Sequence, residues 1–311
     1  MTALGQALDD YLALRRALGF ALRSYEPALR DFVAFLARAG TETITTRHAL
    51  AWATQPTACH PLRWAQRLAM VRGFAAYRQA TDPATEVPPA DALPCSARRR
   101  TPHLYTEDEI RRLLAAAERL HGAHGGPAAP YATVFGLLAA TGLRANEALT
   151  LDRVDVDLTA GVLQIRCTKF RKTRLVPLHG TSTTALWQYA QARDRHPAGR
   201  CTTRFFVNAR EHTPLTYRAL WLMFRRLAST AGLRDRTGRQ GPRLHDFRHS
   251  FAVRTLTSWQ RAGADVETQL PRLSTYLGHT HPTYTYWYLS ATPELLGVAC
   301  ARLDRALGVL P

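Results

Sequence analysis

The chain has 311 residues, 46% of them apolar, and a formal charge of +17. It is long enough for two domains and apolar enough to bury a core, which excludes a disordered chain. No apolar run approaches the roughly 18–20 residues that cross a bilayer, and the opening MTALGQALDDYLALRR has no charged-then-apolar leader pattern; a soluble, cytoplasmic protein with no membrane partner is expected.

Residues 1–81 read as a unit of four helices. Leu4, Leu8, Tyr11, Leu12 and Leu18 recur at helical spacing. Ser24 stands where it can cap a second helix, with Pro27 in its first turn, Leu29, Phe32, Val33 and Leu36 as apolar positions and Gly40 as the stop. Thr46 opens a short third helix through Trp52. A fourth runs from about 62 to 77, with Trp64, Leu68, Val71 and Phe74 or Ala75 along one side. Residues 82–104 hold five prolines and the run Arg98-Arg99-Arg100. Proline density predicts an extended linker, and the arginines suit either a phosphate backbone or a solvated surface.

Residues 105–311 make up the second domain. Thr106-Glu107-Asp108-Glu109 is a capping box ahead of Ile110, Leu113 and Leu114. Residues 121–130 read as a loop, and 131–140 as a strongly apolar helix ended by Gly142. Residues 162–166 and Leu175-Val176 before Pro177 read as a hairpin whose turn passes through Lys169 and Lys172. Further helices are expected over about 182–193, 215–230, 246–257, 268–277 and 293–308. The fold class is therefore mainly α with a small β-sheet (α+β), and no repeat has a solenoid period.

The five cysteines are far apart and form no Cys-x-x-Cys pair, so neither a disulfide framework nor a zinc ribbon is supported. Charge is unevenly spread: residues 1–95 carry 10 Arg against 8 acids, residues 96–311 carry 31 Lys plus Arg against 16 acids. A basic second half of that size points to a polyanionic partner, with nucleic acid first. Of the 41 basic residues only Lys169 and Lys172 are lysine. Lysine can release a proton where arginine effectively cannot, so a transferable proton in that segment is one reading; coding bias is the other.

Arg144, in Thr141-Gly-Leu-Arg144-Ala-Asn-Glu147, follows a glycine helix stop and could fork onto two phosphate oxygens, with Glu147 holding it from i+3; an ordinary surface ion pair is the bland alternative. His245 and Arg248 are three apart, on one helix face, where both can point at one pair of oxygens. His245 and His249 have zinc-ligand spacing, but no Glu follows His245 and no third ligand is apparent, so neither metal nor cofactor is expected. Leu277-Gly-His279 ends a helix and leads into a stretch containing Tyr284, Tyr286 and Tyr288. Aromatic clusters are usually core, and two of these three tyrosines are expected to serve it. A phenol becomes a useful nucleophile only among positive charges that favour its ionised form, which the arginines and histidines supply.

TGLRxxE, a Lys on a hairpin before RLVPL, HxxRH, LGH and a Tyr nine residues after that His stand in the order found in the phage integrase family of tyrosine recombinases, which the chain resembles over about residues 100–295. Residues 1–95 are similar to the family's helical core-binding domain in size, helicity and position. The ending TYWYLSATPELL is similar to that of recombinases and transposases of bacterial mobile elements. The resemblance implies a site-specific recombinase in which Arg144 and Arg248 grip the scissile phosphate and Tyr288 attacks it, becoming linked to the DNA 3′ end. It further implies that Lys169 protonates the leaving 5′ hydroxyl, His245 assists proton transfer and His279 hydrogen-bonds the phosphate, with no metal or ATP. Implied partners are double-stranded DNA bearing recombination sites, a homo-tetramer on that DNA, and accessory DNA-bending or partner recombinase proteins; the implied location is the nucleoid. The domains would be a DNA-clamping unit (1–81), a linker (82–104) and a catalytic domain (105–311). The C-terminal helix, with Leu295, Leu296, Val298, Ala299, Leu303 and Leu307, would dock on a neighbouring protomer or close its own core.

Phe170 stands where relatives often have Gly, which leaves Lys172 as an alternative proton donor; separately, Tyr284, four residues before Tyr288 and able to share its helix face, and Tyr286 are alternatives to Tyr288, which the spacing favours. A type IB topoisomerase would use the same kind of chemistry, though relatives there usually have Lys at the position of His245. A non-catalytic DNA-binding regulator would explain the charge but not the intact set.

Overall fold

The computed structural model describes residues 2–94, 101–122, 130–166, 173–195, 202–208, 211–234, 241–289 and 297. Its contacts divide the chain into two units, 1–100 and 101–311. No helix among the described residues is long and apolar enough to cross a membrane.

The first unit contains α1 (Ala3–Ala17), α2 (Tyr25–Arg38), α3 (Thr46–Thr54) and α4 (Pro61–Arg78). Leu4, Leu8, Tyr11 and Leu12 are buried as their spacing predicts, and pack with Leu29, Phe32, Leu36, Trp52, Leu68, Val71 and Phe74. Leu18 instead follows the end of α1 and is exposed. Ser24 occupies the N-cap position of α2 but makes no capping hydrogen bond there, its backbone being helical already (φ −97°, ψ −21°). α3 opens at Thr46 as expected, and Thr45 caps it by accepting from the His48 backbone N–H. Trp52 is the pivot of this core: its ring meets Phe32 edge-on at 5.2 Å, and the Arg67 guanidinium lies 3.6 Å from its centroid.

Much of the proline-rich stretch packs on this unit rather than standing free. The Glu86 N–H donates to the Ile44 carbonyl at 2.8 Å, its carboxylate accepts from the Thr46 N–H at 2.7 Å, and Val87, Ala92 and Leu93 lie against the core. The apolar residues between the prolines give the segment something to bury. Arg98, Arg99 and Arg100 lie outside the described residues.

The second unit contains α5 (Glu107–Gly122), α6 (Pro130–Thr141), α7 (Ala145–Leu149), a 3-10 turn (Arg153–Asp155), strands β1 (Val156–Asp157), β2 (Val162–Ile165) and β3 (Arg174–Pro177), α8 (Gly180–Arg195), α9 (Tyr217–Thr230), α10 (Asp246–Arg261), α11 (Val266–Leu277) and α12 (Thr283–Tyr286). The capping box forms as read: Thr106 Oγ1 accepts from the Glu109 N–H at 3.1 Å, and the Glu109 carboxylate from the Thr106 N–H at 2.9 Å. The strands make an antiparallel sheet in the order β1-β2-β3, with Leu163 opposite Val176 and Ile165 opposite Arg174. The expected helix at 293–308 lies outside the described residues, apart from position 297.

α6 packs against α5, α8 and α10, which is why it is apolar nearly all round. Tyr105 stacks on Phe247 at 4.4 Å, and Phe247 leads through Phe135 and Phe224 into the main core. A second cluster joins α10 and α11 through Ala252, Val253, Leu256, Leu270, Leu273 and Leu277, and includes Tyr288. Between these clusters the chain leaves α6 through Gly142, whose φ of +62° favours glycine. A Cβ there would also lie 2.7 Å from the Phe251 ring. Gly142→Ala is therefore expected to cost about 2 kcal/mol or more, combining left-handed strain with overpacking. Urea denaturation reads this directly, and an unchanged midpoint would contradict it.

Candidate active site

Arg248 sits in the first turn of α10 and is 1% exposed. Its Nη1 donates to the Gly142 carbonyl at 3.0 Å and its Nη2 to the Leu277 carbonyl at 2.6 Å. Those carbonyls lie at the C-terminal ends of α6 and α11, where backbone acceptors have no partner within the helix and the helix dipole is negative. Among the described residues no carboxylate lies within ion-pair distance of Arg248. Its pKa is pushed down to about 10, by burial first and by the charge of Arg144 next, with the Tyr288 phenol and Glu147 pulling the other way.

Arg144 is the N-cap of α7, in extended conformation (φ −69°, ψ 142°). Its N–H donates to Glu147 Oε2 at 3.0 Å and its Nη1 to Oε1 at 2.8 Å, so the pair expected from i,i+3 spacing closes on both the backbone and the side chain. The same carboxylate receives Arg174 from β3, with Nη1 at 3.2 Å and Nη2 at 2.8 Å. Burial pushes the Glu147 carboxyl up, but Arg174 and Arg144 outweigh it and hold the group below its ordinary range.

Gly278 ends α11 in the left-handed region at φ +68°. The following His279 N–H returns to the Ser274 carbonyl at 3.0 Å, closing the helix. This turn fixes where the His279 ring stands. Its Nδ1 is 2.7 Å from the hydroxyl of Thr285, which is fully buried. Burial, then the charges of Arg248 and Arg144, lower the His279 pKa to about 3.

Tyr288 follows α12 and is 3% exposed, whereas Tyr284 and Tyr286 are 54% and 49% exposed. The expectation that two of the three serve the core is thus corrected: one is buried, and it is the one facing the cationic cluster. α12 is a single short turn that leaves both Tyr284 and Tyr286 open to solvent. The Tyr288 ring lies nearly parallel to His279 with centroids 6.1 Å apart, and meets the His249 ring at 5.5 Å.

His245 precedes α10 and reaches the surface, yet enough protein surrounds its ring that partial desolvation, then Arg248 and Arg144, lower its pKa. Asp246 next to it is buried and ion-paired with Arg243 at 2.9 Å, which anchors the start of the helix. His249 meets His245 at 4.8 Å; desolvation and that neighbour lower its pKa to about 4.

Arg144, His245, Arg248, His279 and Tyr288 are thus brought into one electrostatic neighbourhood from four different elements. Lys169 and Lys172 lie outside the described residues. Among the described residues no three His, Cys, Asp or Glu side chains group as they would to hold a metal ion. The sequence reading missed Arg174 as part of this network; its signal was only that it opens RLVPL, and β-strand alternation does not say which residue reaches a helix terminus. Chemically the cluster offers two guanidinium groups to a phosphodiester, imidazoles that are uncharged near neutral pH, and one buried phenol.

Residues 104–294 match the profile of the phage integrase family. The chain belongs to that family and is a tyrosine recombinase. It is 44% identical over 308 residues to a putative integrase/recombinase, y4rB, of Sinorhizobium fredii, with 98% of each chain covered. It is 33% identical over 235 residues to the tyrosine recombinase XerD of Mycobacterium tuberculosis, covering 75% of this chain and 70% of that one. In fold it is similar to the Tn1549 transposon integrase in complex with transposon right-end DNA (TM-score 0.64, 15% identity, 97% of this chain and 100% of the other). It is likewise similar to lambda integrase as a tetramer bound to a Holliday junction (TM-score 0.61, 17% identity, 92% and 76%).

The lowered histidine pKa values set a stability profile. In the unfolded chain these rings titrate at about 6.5, whereas in the folded protein His249 and His279 do so at about 4 and about 3. Their contribution is complete above the unfolded value and is lost as pH falls through the folded ones, because the unfolded chain then binds more protons. Glu147 acts with the same sign. The thermal midpoint of the second unit is expected to drop steadily between about pH 6.5 and about pH 4, and more shallowly in a His249→Phe/His279→Phe double variant. A profile flat over that window would contradict the assignment.

Proposed function

We propose that the chain cuts and rejoins DNA at specific sites through Tyr288. The phenolic oxygen attacks the phosphorus in line, the O–P bond to Tyr288 forms, the P–O5′ bond breaks, and the leaving 5′ oxygen takes a proton. Arg144 and Arg248 hold the phosphate oxygens and stabilise the charge that builds up in the pentacoordinate transition state. His279 donates a hydrogen bond to one of those oxygens, and His245 moves the phenolic proton. Lys169 is the general acid for the 5′ oxygen. Because the phosphotyrosyl bond keeps the energy of the broken ester, a 5′ hydroxyl from another strand can reverse the steps without ATP.

The observation that carries this reading is the burial of one tyrosine against the cluster containing Arg248, Arg144 and His279. The basic second half of the chain supports a DNA partner. So does the outer face of α9, where Tyr217, Trp221 and Arg218 are exposed and Arg225 stacks 5.0 Å from the Trp221 ring. The helical first unit adds a second contact to the duplex, and the protein acts as a tetramer on two sites, exchanging strands in two steps through a Holliday junction.

The test uses nicked duplexes selected for covalent trapping from a pool with a randomised core, incubated with EDTA. The wild-type chain is expected to form a protein–DNA adduct, Tyr288→Phe none, and Tyr284→Phe and Tyr286→Phe amounts close to wild type. An adduct that survives Tyr288→Phe removes the proposed nucleophile. Lys169→Ala is expected to slow cleavage by about 100-fold or more and to be largely restored by a 5′-phosphorothiolate, whose thiol leaves without a proton. If restoration follows Lys172→Ala instead, the general acid is the other lysine.

A further inference from the structure

Arg174 opens β3, but its side chain turns in from the hairpin and is 10% exposed. Each of its three nitrogens is committed to a protein oxygen. Nη1 and Nη2 fork onto the two oxygens of Glu147, and Nε donates to the Tyr276 carbonyl at 2.8 Å. The guanidinium also lies against Gly278 so closely that a Cβ there would be 2.6 Å from Nη1. One planar group therefore reaches Arg144 through the carboxylate they share, and reaches the turn that carries His279 through the last residues of α11. The strand that bears it belongs to the hairpin whose connecting segment contains Lys169.

We propose that Arg174 is a positioning residue for the phosphate site: it fixes the Glu147 carboxylate so that Arg144 faces the scissile phosphate, and pins the end of α11 so that His279 faces it too. This rests on the proposed role of Arg144 and goes beyond it. Arg174 touches no reacting atom. Its effect comes from geometry that lysine cannot reproduce, since an ammonium is a point charge without a planar fork. Removing Arg174 leaves a buried carboxylate paired with Arg144 alone, free to draw that guanidinium inward and away from an incoming phosphate.

Arg174→Met and Arg174→Lys are to be compared with wild type on the selected nicked duplex, measuring duplex Kd, thermal midpoint and the single-turnover rate of adduct formation. Arg174→Met is expected to bind within about threefold of wild type and to form the adduct at least about 30-fold more slowly; Arg174→Lys recovers part of that rate. The deficit is expected to shrink when a neutral methylphosphonate replaces the scissile phosphate, because the misplaced Arg144 charge is then needed less. A wild-type rate in folded Arg174→Met overturns the proposal, and so does an equal deficit on both substrates, the result of a merely loosened hairpin. Should the Met variant fail to fold, Arg174→Lys, which keeps the stem and the charge, carries the same comparison. A crystal structure of either variant tests the geometry without any activity: an Arg144–Glu147 pair left where it stands, with α11 unmoved, also overturns the proposal. A wild-type chain that forms no adduct at all would count against the function of Tyr288, and the crystallographic comparison would still decide the role of Arg174.

Discussion

A buried guanidinium held by two helix ends is the constraint on which the second unit depends. Moving a charge out of water costs several kcal/mol even after the protein relaxes around it. Arg248 offsets this with the carbonyls of Gly142 and Leu277 rather than with a carboxylate. Such carbonyls carry partial negative charge, enough to hold the group in place and too little to neutralise it. Arg144 lies close enough that its charge adds to that of Arg248. Two of the glycines at positive φ serve the same requirement: Gly142 and Gly278 turn the chain sharply at the helix ends that converge on Arg248.

Burial, reinforced by that concentration of positive charge, sets the state of the imidazoles. His245, His249 and His279 are all pushed toward the neutral form, by burial first and by neighbouring charge second. A neutral ring can donate from one nitrogen and accept on the other, which an imidazolium cannot do. The positive charge of the cluster thus resides on its arginines, while His249 and His279 are neutral near pH 7. Glu147 keeps this arrangement from being purely repulsive, since one buried carboxylate separates and orients two arginines.

The helices were legible because burial imposes a period on the sequence. α1 places Leu4, Leu8 and Leu12 inward and α2 places Leu29, Phe32 and Leu36 inward as their spacing requires, and the Thr106–Glu109 box closes as its four residues predict. Arg144, His245, Arg248 and His279 converge because motifs at helix ends carry local geometry with them: a glycine stop before Arg144, a helical i,i+3 step from His245 to Arg248, and a left-handed turn before His279. What the sequence hid depends on tertiary choice. β1, only Val156–Asp157, is too short to show alternation. Residues 82–94 looked like a free linker because prolines dominate them, yet Val87 and Leu93 find apolar surface. Arg174 reads as an ordinary hairpin position, and only the approach of α7 and α11 makes it a bridge. Which tyrosine is buried depended on how a single turn of helix lies against α10 and α11.

The contact between His279 and Thr285 links two groups that composition alone would treat as independent. The hydroxyl engages the Nδ1 side of the imidazole, 2.7 Å away. Thr285 in turn accepts, on its backbone carbonyl, the N–H of Tyr288 at 3.0 Å. A single residue therefore holds the ring by its side chain and the phenol-bearing residue by its main chain. A displacement of the imidazole would thus be felt at the main chain of Tyr288 within one helical turn.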